Sequence, residues 1–561
     1  MEIFSILSKG GQTWAHRIRM LRQVFKIIGA VCLAVSLFIF VSLMFNLHFF
    51  FYESAYYYIK ANTIGVFTPE IAVNSSFWEA VSNQHSYSDY VLVSSEKVSQ
   101  ITERYVDLFL DQSMQFINVT TKVSFYTMLA IISFFLLRGF LSKRKKHISG
   151  RKLASAWWLA LRLKLTRRAS PIRVGHLPLL KGSEVQHIMI TGGTGSGKSN
   201  CMHHILKDIR ANNQRAVIVD TTGVFVDRYF IEGKDKLLNP LDPRGELWSP
   251  WAECHDSIDM DDIAECFIPS SYSEHENYWR TAGRVLFSSL MQKCETTKRT
   301  SELSRWILFE PLKNLCEYIQ GTKGAAHLDM NSERTAVSIR SVTSSFLSSL
   351  EFLRDTYNPF SIKEWMKQEN DKGWLFLSCT QAQRASLRPL LSCWFSIATR
   401  SLSQLSPDFN RRIWFVVDEL PSLNKLKDLD FFLAESRKYG GCAMIALQSI
   451  SQLESIYGRD VTKTIVGNCA TKIAFSEQDP EICDRISKAF GEREIKEWQE
   501  SISYGSYDAR DGVNLSNQAK IIPLVSSTDI QSLKRNQAFV KLPENLPITK
   551  VKLKICKSVL R

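Results

Sequence analysis

A chain of 561 residues with 45% hydrophobic and 22% charged side chains is too long for one ordinary domain and too apolar for a disordered one. Its formal net charge of +14 points to an acidic partner, nucleic acid or an anionic membrane, or to the positive-inside bias of a membrane protein. Twelve cysteines without a C-x-x-C pair argue against a zinc site or redox motif and for reduced cytosolic thiols.

The N-terminal segment, residues 1–26, sets Lys9, Arg17, Arg19, Arg22 and Lys26 against the single acid Glu2. Residues 27–51 then run without a charge, long enough to cross a bilayer as a helix. A signal peptide is the competing reading, but the run is too long and no small-residue cleavage site follows. A second apolar segment covers residues 123–141, broken only by Arg138, and is followed by Lys143, Arg144, Lys145, Lys146, Arg151 and Lys152. The loop between them, 52–122, leans acidic and contains no cysteine. Lys/Arg asymmetry therefore predicts both termini in the cytoplasm and this loop outside. With Tyr52, Tyr56, Tyr57 and Tyr58 it reads as a small partner-binding module. From Ala154 to Arg168, Arg162, Lys164, Arg167 and Arg168 interleave with Trp157, Trp158 and Leu163. That stretch reads as a membrane-skirting amphipathic helix or a nucleic-acid contact; nearness to a span favours the membrane.

Residues 188–199, IMITGGTGSGKS, carry the strongest signal. Ile188, Met189 and Ile190 form a short buried strand, Gly192, Gly193, Thr194, Gly195, Ser196 and Gly197 a loop, and a helix is expected near Asn200. This is G-x-x-x-x-G-K-[ST] between strand and helix. Glycines let consecutive N–H groups face an anion, and the helix N-terminus adds positive potential. Lys198 is expected to reach the β/γ-phosphates and the Ser199 hydroxyl to bind Mg²⁺.

A second strand, Ala216–Val219, ends in Asp220 before the turn Thr221-Thr222-Gly223. Residues 257–357 show helical periodicity with few strand signals and read as an all-helical insertion. Sheet patterning resumes at Trp374–Leu377, followed by a helix from about Leu387 to Leu405. The run Ile413–Val417 then delivers Asp418 and Glu419 to the C-terminal edge of a parallel sheet, a Walker B pattern. Asp418 is expected to hold Mg²⁺ and Glu419 to polarise the attacking water; the plain alternative for Glu419 is a solvated strand-end acid. A further strand, Cys442–Leu447, ends in Gln448, a polar residue at the position of a γ-phosphate sensor. Arg437 near a helix end either reaches a neighbouring subunit's phosphate or simply complements the helix dipole. Short strands and turns are expected from Lys472 to Arg561.

These features together resemble the type IV coupling proteins, in particular the TraD-type members that serve conjugation. The resemblance also rests on residues 235–251, 277–290, 373–394, 418–449 and 503–518, and so covers nearly the whole chain. It implies an α/β P-loop NTPase of RecA-like type: a parallel sheet with an inserted all-α domain, plus two N-terminal transmembrane helices. The nucleotide-binding domain then covers residues 142–256 and 358–561. The family's phosphate lysine falls on Lys198, its magnesium hydroxyl on Ser199, its acidic pair on Asp418 and Glu419, and its later arginine and glutamine on Arg437 and Gln448. One departure is Val224, where the family often has an acid.

The resemblance further implies ATP and Mg²⁺ as cofactors and a homo-hexamer in the bacterial inner membrane. Its partners would be a relaxase complex, single-stranded DNA and the components of a type IV secretion channel. Hydrolysis would drive DNA transfer in conjugation. Three alternatives stand beside this: a coupling protein that receives protein effectors, a motor acting on duplex DNA, and a catalytically idle membrane scaffold.

Overall fold

The computed structural model describes residues 2–142, 146–271, 273–426, 428–503 and 512–556. Lys143, Arg144 and Lys145, and residues 504–511 of the stretch from 503 to 518, lie outside the described residues. The chain divides into two units, residues 1–145 and 146–561.

In the first unit, a helix over Glu2–Phe45 and another over Ser95–Ser142 pack side by side, with Cys32 Sγ 3.9 Å from the Ser124 carbonyl oxygen. Both are apolar enough over a membrane's width to cross one. The first apolar helical segment is Leu21–Phe45, not 27–51, because the helix stops where polar side chains compete for the backbone. Asn46 Nδ2 donates back to the Ser42 carbonyl oxygen at 2.8 Å, and His48 caps a new helix, Phe49–Thr63. The segment between the apolar helices is a small α/β module. Antiparallel strands Glu70–Asn74 and Tyr90–Ser94 and helix Ser75–Ser82 close a core of Tyr57, Ile71, Val73, Phe77, Trp78, Val93 and Val98. No cysteine occurs in it, so it is held by that core, the strand pairing and hydrogen bonds such as Asn74 N to the Tyr57 hydroxyl at 2.9 Å, without a disulfide.

The second unit is built on a ten-stranded sheet. Its centre is parallel and runs, in spatial order, Thr471–Ala474, Ile188–Thr191, Gly441–Leu447, Ile413–Val417, Arg215–Asp220, Trp374–Ser378 and Lys236–Leu238. Strands Gln537–Lys541 and Ile548–Lys552 extend it antiparallel beyond Thr471–Ala474. The central strands read as unbroken apolar runs because both faces are covered. Ile413, Phe415 and Val417 enter one core, and Trp414 and Val416 the other, as a two-residue side-chain period requires.

Every assigned element among the described residues from Pro250 to Lys367 is helical, so the helical insertion is present. Its residues Leu286, Phe287, Leu290 and Trp365 share one core with Val217, Val219 and Phe415 of the sheet. Buried Glu253 ties its two ends together. Its carboxylate accepts from Trp248 Nε1 at 3.0 Å, Ser361 Oγ at 3.1 Å, Ile362 N at 2.6 Å and Lys363 N at 3.0 Å.

One expectation changes. The tail is not only short strands and turns: it holds helix Pro480–Phe490 and a long hairpin, Glu492–Ser503 with Gly512–Pro523. The stretch from Ala154 to Arg168 contains helix Ala156–Leu165, one face of which packs Ala156, Leu159, Ala160 and Leu163 into the sheet's second core.

Candidate nucleotide site

Strand Ile188–Thr191 enters the loop between Gly441–Leu447 and Thr471–Ala474. Gly192 and Gly197 have φ of +146° and +121°. A Cβ on Gly192 would come 2.6 Å from Phe475 Cβ, and one on Gly197 2.7 Å from Asn536 Oδ1. Only glycine meets both the conformation and the close approach. Behind the loop, Gly193 N donates to the Ser476 carbonyl oxygen at 2.9 Å and Asn536 N to that of Ser196 at 2.8 Å. The Ser196 hydroxyl donates to the Gly193 carbonyl oxygen at 2.7 Å. The helix begins at Lys198, slightly before Asn200, and Lys198 Nζ donates to the carbonyl oxygens of Gly192 at 2.5 Å and Gly193 at 3.0 Å.

A cavity of about 380 Å³ opens at this edge of the sheet. Thr194, Gly195, Gly197, Lys198, Ser199 and Asn200 line it together with Asp418, Glu419 and Gln448, although some 220 residues separate the two sets. Gly192, Gly193 and Ser196 support the loop from behind. The Gln448 side chain lies 3.4 Å from Thr194 Oγ1.

Burial lowers the pKa of the Lys198 ammonium, opposed by the charges of Glu419, Asp418 and Glu477. Burial raises the Asp418 carboxyl to about 6, aided by Asp220 and opposed by Lys198. Glu419 is also raised by burial, against Lys198 and hydrogen bonds from Gln448. Its Oε1 is buried with no hydrogen-bond partner among the described residues. This donor set fits a Mg²⁺-nucleotide: hard oxygens from Ser199 and Asp418, an ammonium for phosphate, and one acceptor left unengaged.

Arg437 does not reach this cavity. It is exposed on the turn Ser436–Tyr439, just before strand Gly441–Leu447, and so sits at the opposite edge of the sheet, about 20 Å away along that strand. Val224 is 51% exposed and lines no part of the cavity. The acid that shapes that turn is Asp220, fully buried, whose carboxylate accepts from Thr222 N and Oγ1, Gly223 N, Phe225 N and Val226 N at 2.7–3.1 Å.

The remaining lining residues are Thr221, Thr222, Arg384, Arg535, Asn536 and Ile555, none of which belongs to the sequence motifs of the site. Arg384 opens the helix after Trp374–Ser378, whose end pairs Ser378 with Asp220. A cation just past that strand therefore belongs to the same edge, a signal the sequence did contain. Arg535 and Asn536 arrive from a distant segment, fixed by Asn200 Nδ2 donating to Asn536 Oδ1 at 3.2 Å.

A parallel sheet with a phosphate loop after one central strand and an acidic pair after another defines a P-loop NTPase fold. Residues 171–554 match the family model described as the type IV secretion-system coupling protein DNA-binding domain. The chain therefore belongs to the type IV secretion-system coupling proteins. It is 33% identical over 441 residues to the coupling protein TraD of Escherichia coli (strain K12), covering 76% of this chain and 61% of that one. A conjugal transfer protein TraG of Escherichia coli is 24% identical over 366 residues, covering 56% of this chain and 57% of the relative. The chain thus spans less than two thirds of the length of both relatives. Among solved structures, the plasmid coupling protein TrwB in complex with ADP and Mg²⁺ superposes with a TM-score of 0.66 at 27% identity, over 74% of this chain and 96% of that one.

Proposed function

We propose that this chain is a membrane-anchored ATPase that couples relaxase–DNA complexes to a type IV secretion channel and drives single-stranded DNA through it during conjugation. The observation that carries the reading is the convergence of Lys198, Ser199, Asp418, Glu419 and Gln448 on one cavity at the C-terminal edge of a parallel sheet. TrwB, 27% identical, has been solved with ADP and Mg²⁺, which supports a nucleotide here. The two apolar helices and the likeness to TraD support an inner-membrane anchor, and the Lys/Arg excess of the segments flanking them supports both termini in the cytoplasm. The family's DNA-binding domain supports DNA as cargo.

In this mechanism Lys198 holds the β/γ-phosphates, and Ser199 and Asp418 hold Mg²⁺. When bound, the metal neutralises charge on the phosphate oxygens. Glu419 accepts a proton from water as the water oxygen bonds to the γ-phosphorus and the bond to the β-phosphate oxygen breaks. Gln448 orients that water. Burial around Glu419 raises its proton affinity above that of an ordinary carboxylate, which favours proton uptake. Arg437, exposed at the opposite edge, is free to serve a neighbouring subunit in a hexameric ring.

The test is a transfer assay run beside ATP turnover. Lys198→Ala should abolish both turnover and plasmid mobilisation while the protein still fractionates with the inner membrane. Mobilisation at the wild-type level would reject the reading.

A further inference from the structure

Helix Ala156–Leu165 has two apolar faces, and the sheet's core uses only one. Ala156, Leu159, Ala160 and Leu163 are buried. Trp157, Trp158, Leu161 and Leu165 are exposed at 68%, 47%, 40% and 75% of their surface. At about 100° per residue, these four fall within roughly 100° of the helix circumference. Arg162 and Lys164 flank that arc on its two sides. The Arg162 guanidinium lies 5.5 Å from the Trp158 ring centre, while Arg162, Lys164 and Arg167 form no ion pair among the described residues.

We propose that this face docks the nucleotide-binding unit onto the anionic surface of the membrane that anchors the chain, with Trp157, Trp158, Leu161 and Leu165 entering the headgroup boundary. Tryptophan and leucine flanked by unpaired cations form the pattern that partitions into an interface. The rings and aliphatic chains leave water while the cations stay with lipid phosphates. Nucleic acid is the weaker occupant, because Leu161 and Leu165 offer it neither hydrogen bonds nor stacking. Position in the chain agrees: the second apolar helix ends at Ser142, and this helix begins at Ala156. The buried face fixes the helix orientation, so the exposed face is presented without a folding step. The inference rests on the membrane anchoring proposed above.

The experiment reconstitutes the full chain in nanodiscs containing phosphatidylglycerol with brominated acyl chains and compares tryptophan quenching with that of Trp157→Phe/Trp158→Phe. If these side chains sit in lipid, the quenched share of the emission drops in the variant, because two quenched rings of the thirteen tryptophans are gone. Arg162→Glu/Lys164→Glu, which keeps both rings, should lose the same quenching with ATP turnover in detergent unchanged. An unchanged or larger quenched share in the tryptophan variant overturns the proposal. So does protection of Trp157 and Trp158 from acrylamide by a single-stranded oligonucleotide without bromolipid quenching, which would assign the face to nucleic acid. Failure of the chain to enter nanodiscs at all would overturn the anchoring reading itself.

Discussion

Lys198 Nζ donates a 3.0 Å hydrogen bond to the carbonyl oxygen of Gly193, so the ammonium is already pinned over the loop that surrounds the cavity. Binding a phosphate requires only a local exchange of partners. Lys198→Ala therefore removes both a phosphate contact and a tie across the loop. ATP turnover should fall by at least about 100-fold, with the thermal midpoint lowered by only a few degrees. Equal turnover in a coupled phosphate-release assay would contradict this.

Glu419→Gln keeps the shape of the side chain and removes its capacity to take a proton. We expect ATP binding to persist while single-turnover hydrolysis slows by about 10²–10⁴-fold. A variant hydrolysing as fast as the parent would place the base elsewhere.

Arg384 and Arg535 line the same cavity from different segments of the sheet. Arg384 follows a strand two places from Ile413–Val417 and so stands at the carboxylate end. Arg535 is next to Asn536, which packs against Gly197 and Asn200. Arg384→Ala should weaken a non-hydrolysable ATP analogue about tenfold while leaving ADP unchanged, whereas Arg535→Ala should weaken both alike. Calorimetric titration of the two ligands separates these outcomes.

Two buried histidines give stability a pH slope. Burial lowers His187 and His203 to about 4. His187 is held neutral: Ala443 N donates to its Nδ1 at 3.0 Å, and its Nε2 donates to the Leu433 carbonyl oxygen at 2.8 Å. Between about pH 6.5 and 4 the unfolded chain binds protons that these two folded histidines refuse, so their contribution to stability falls as the pH drops through that window, offset in part by Asp418, raised to about 6, which takes up its proton earlier in the folded chain. His187 alone accounts for about 3 kcal/mol across it. The denaturation midpoint of detergent-solubilised protein should decline from pH 7 to 4.5, and less steeply in His187→Asn/His203→Asn. A flat profile in the parent chain would refute this.

Local sequence made the sheet and half of the site legible. Glycines whose missing Cβ is dictated by Phe475 and Asn536, and apolar runs buried on both faces, leave plain marks in the chain. Arg384 follows a legible strand, but Arg535 and Asn536 are not legible, because their membership depends on strand order, which a linear reading does not supply. Hydropathy carries the first apolar segment to residue 51 because it averages over Asn46 and His48, whose effect is a single hydrogen bond each. In the linear sequence the stretch 154–168 presents itself as one amphipathic surface. Its alternation of small and large apolar residues instead encodes two surfaces, one for the core and one for something outside.

The helix Ser95–Ser142 has 48 residues, about 72 Å of continuous rod where some 30 Å would cross a bilayer. Its first turns belong to the small module between the apolar helices, and no break in its hydrogen bonding separates them from the far end. A displacement of that module therefore acts on the same helix that ends at Ser142, and the fold of the module and the far end of that rod belong to one element.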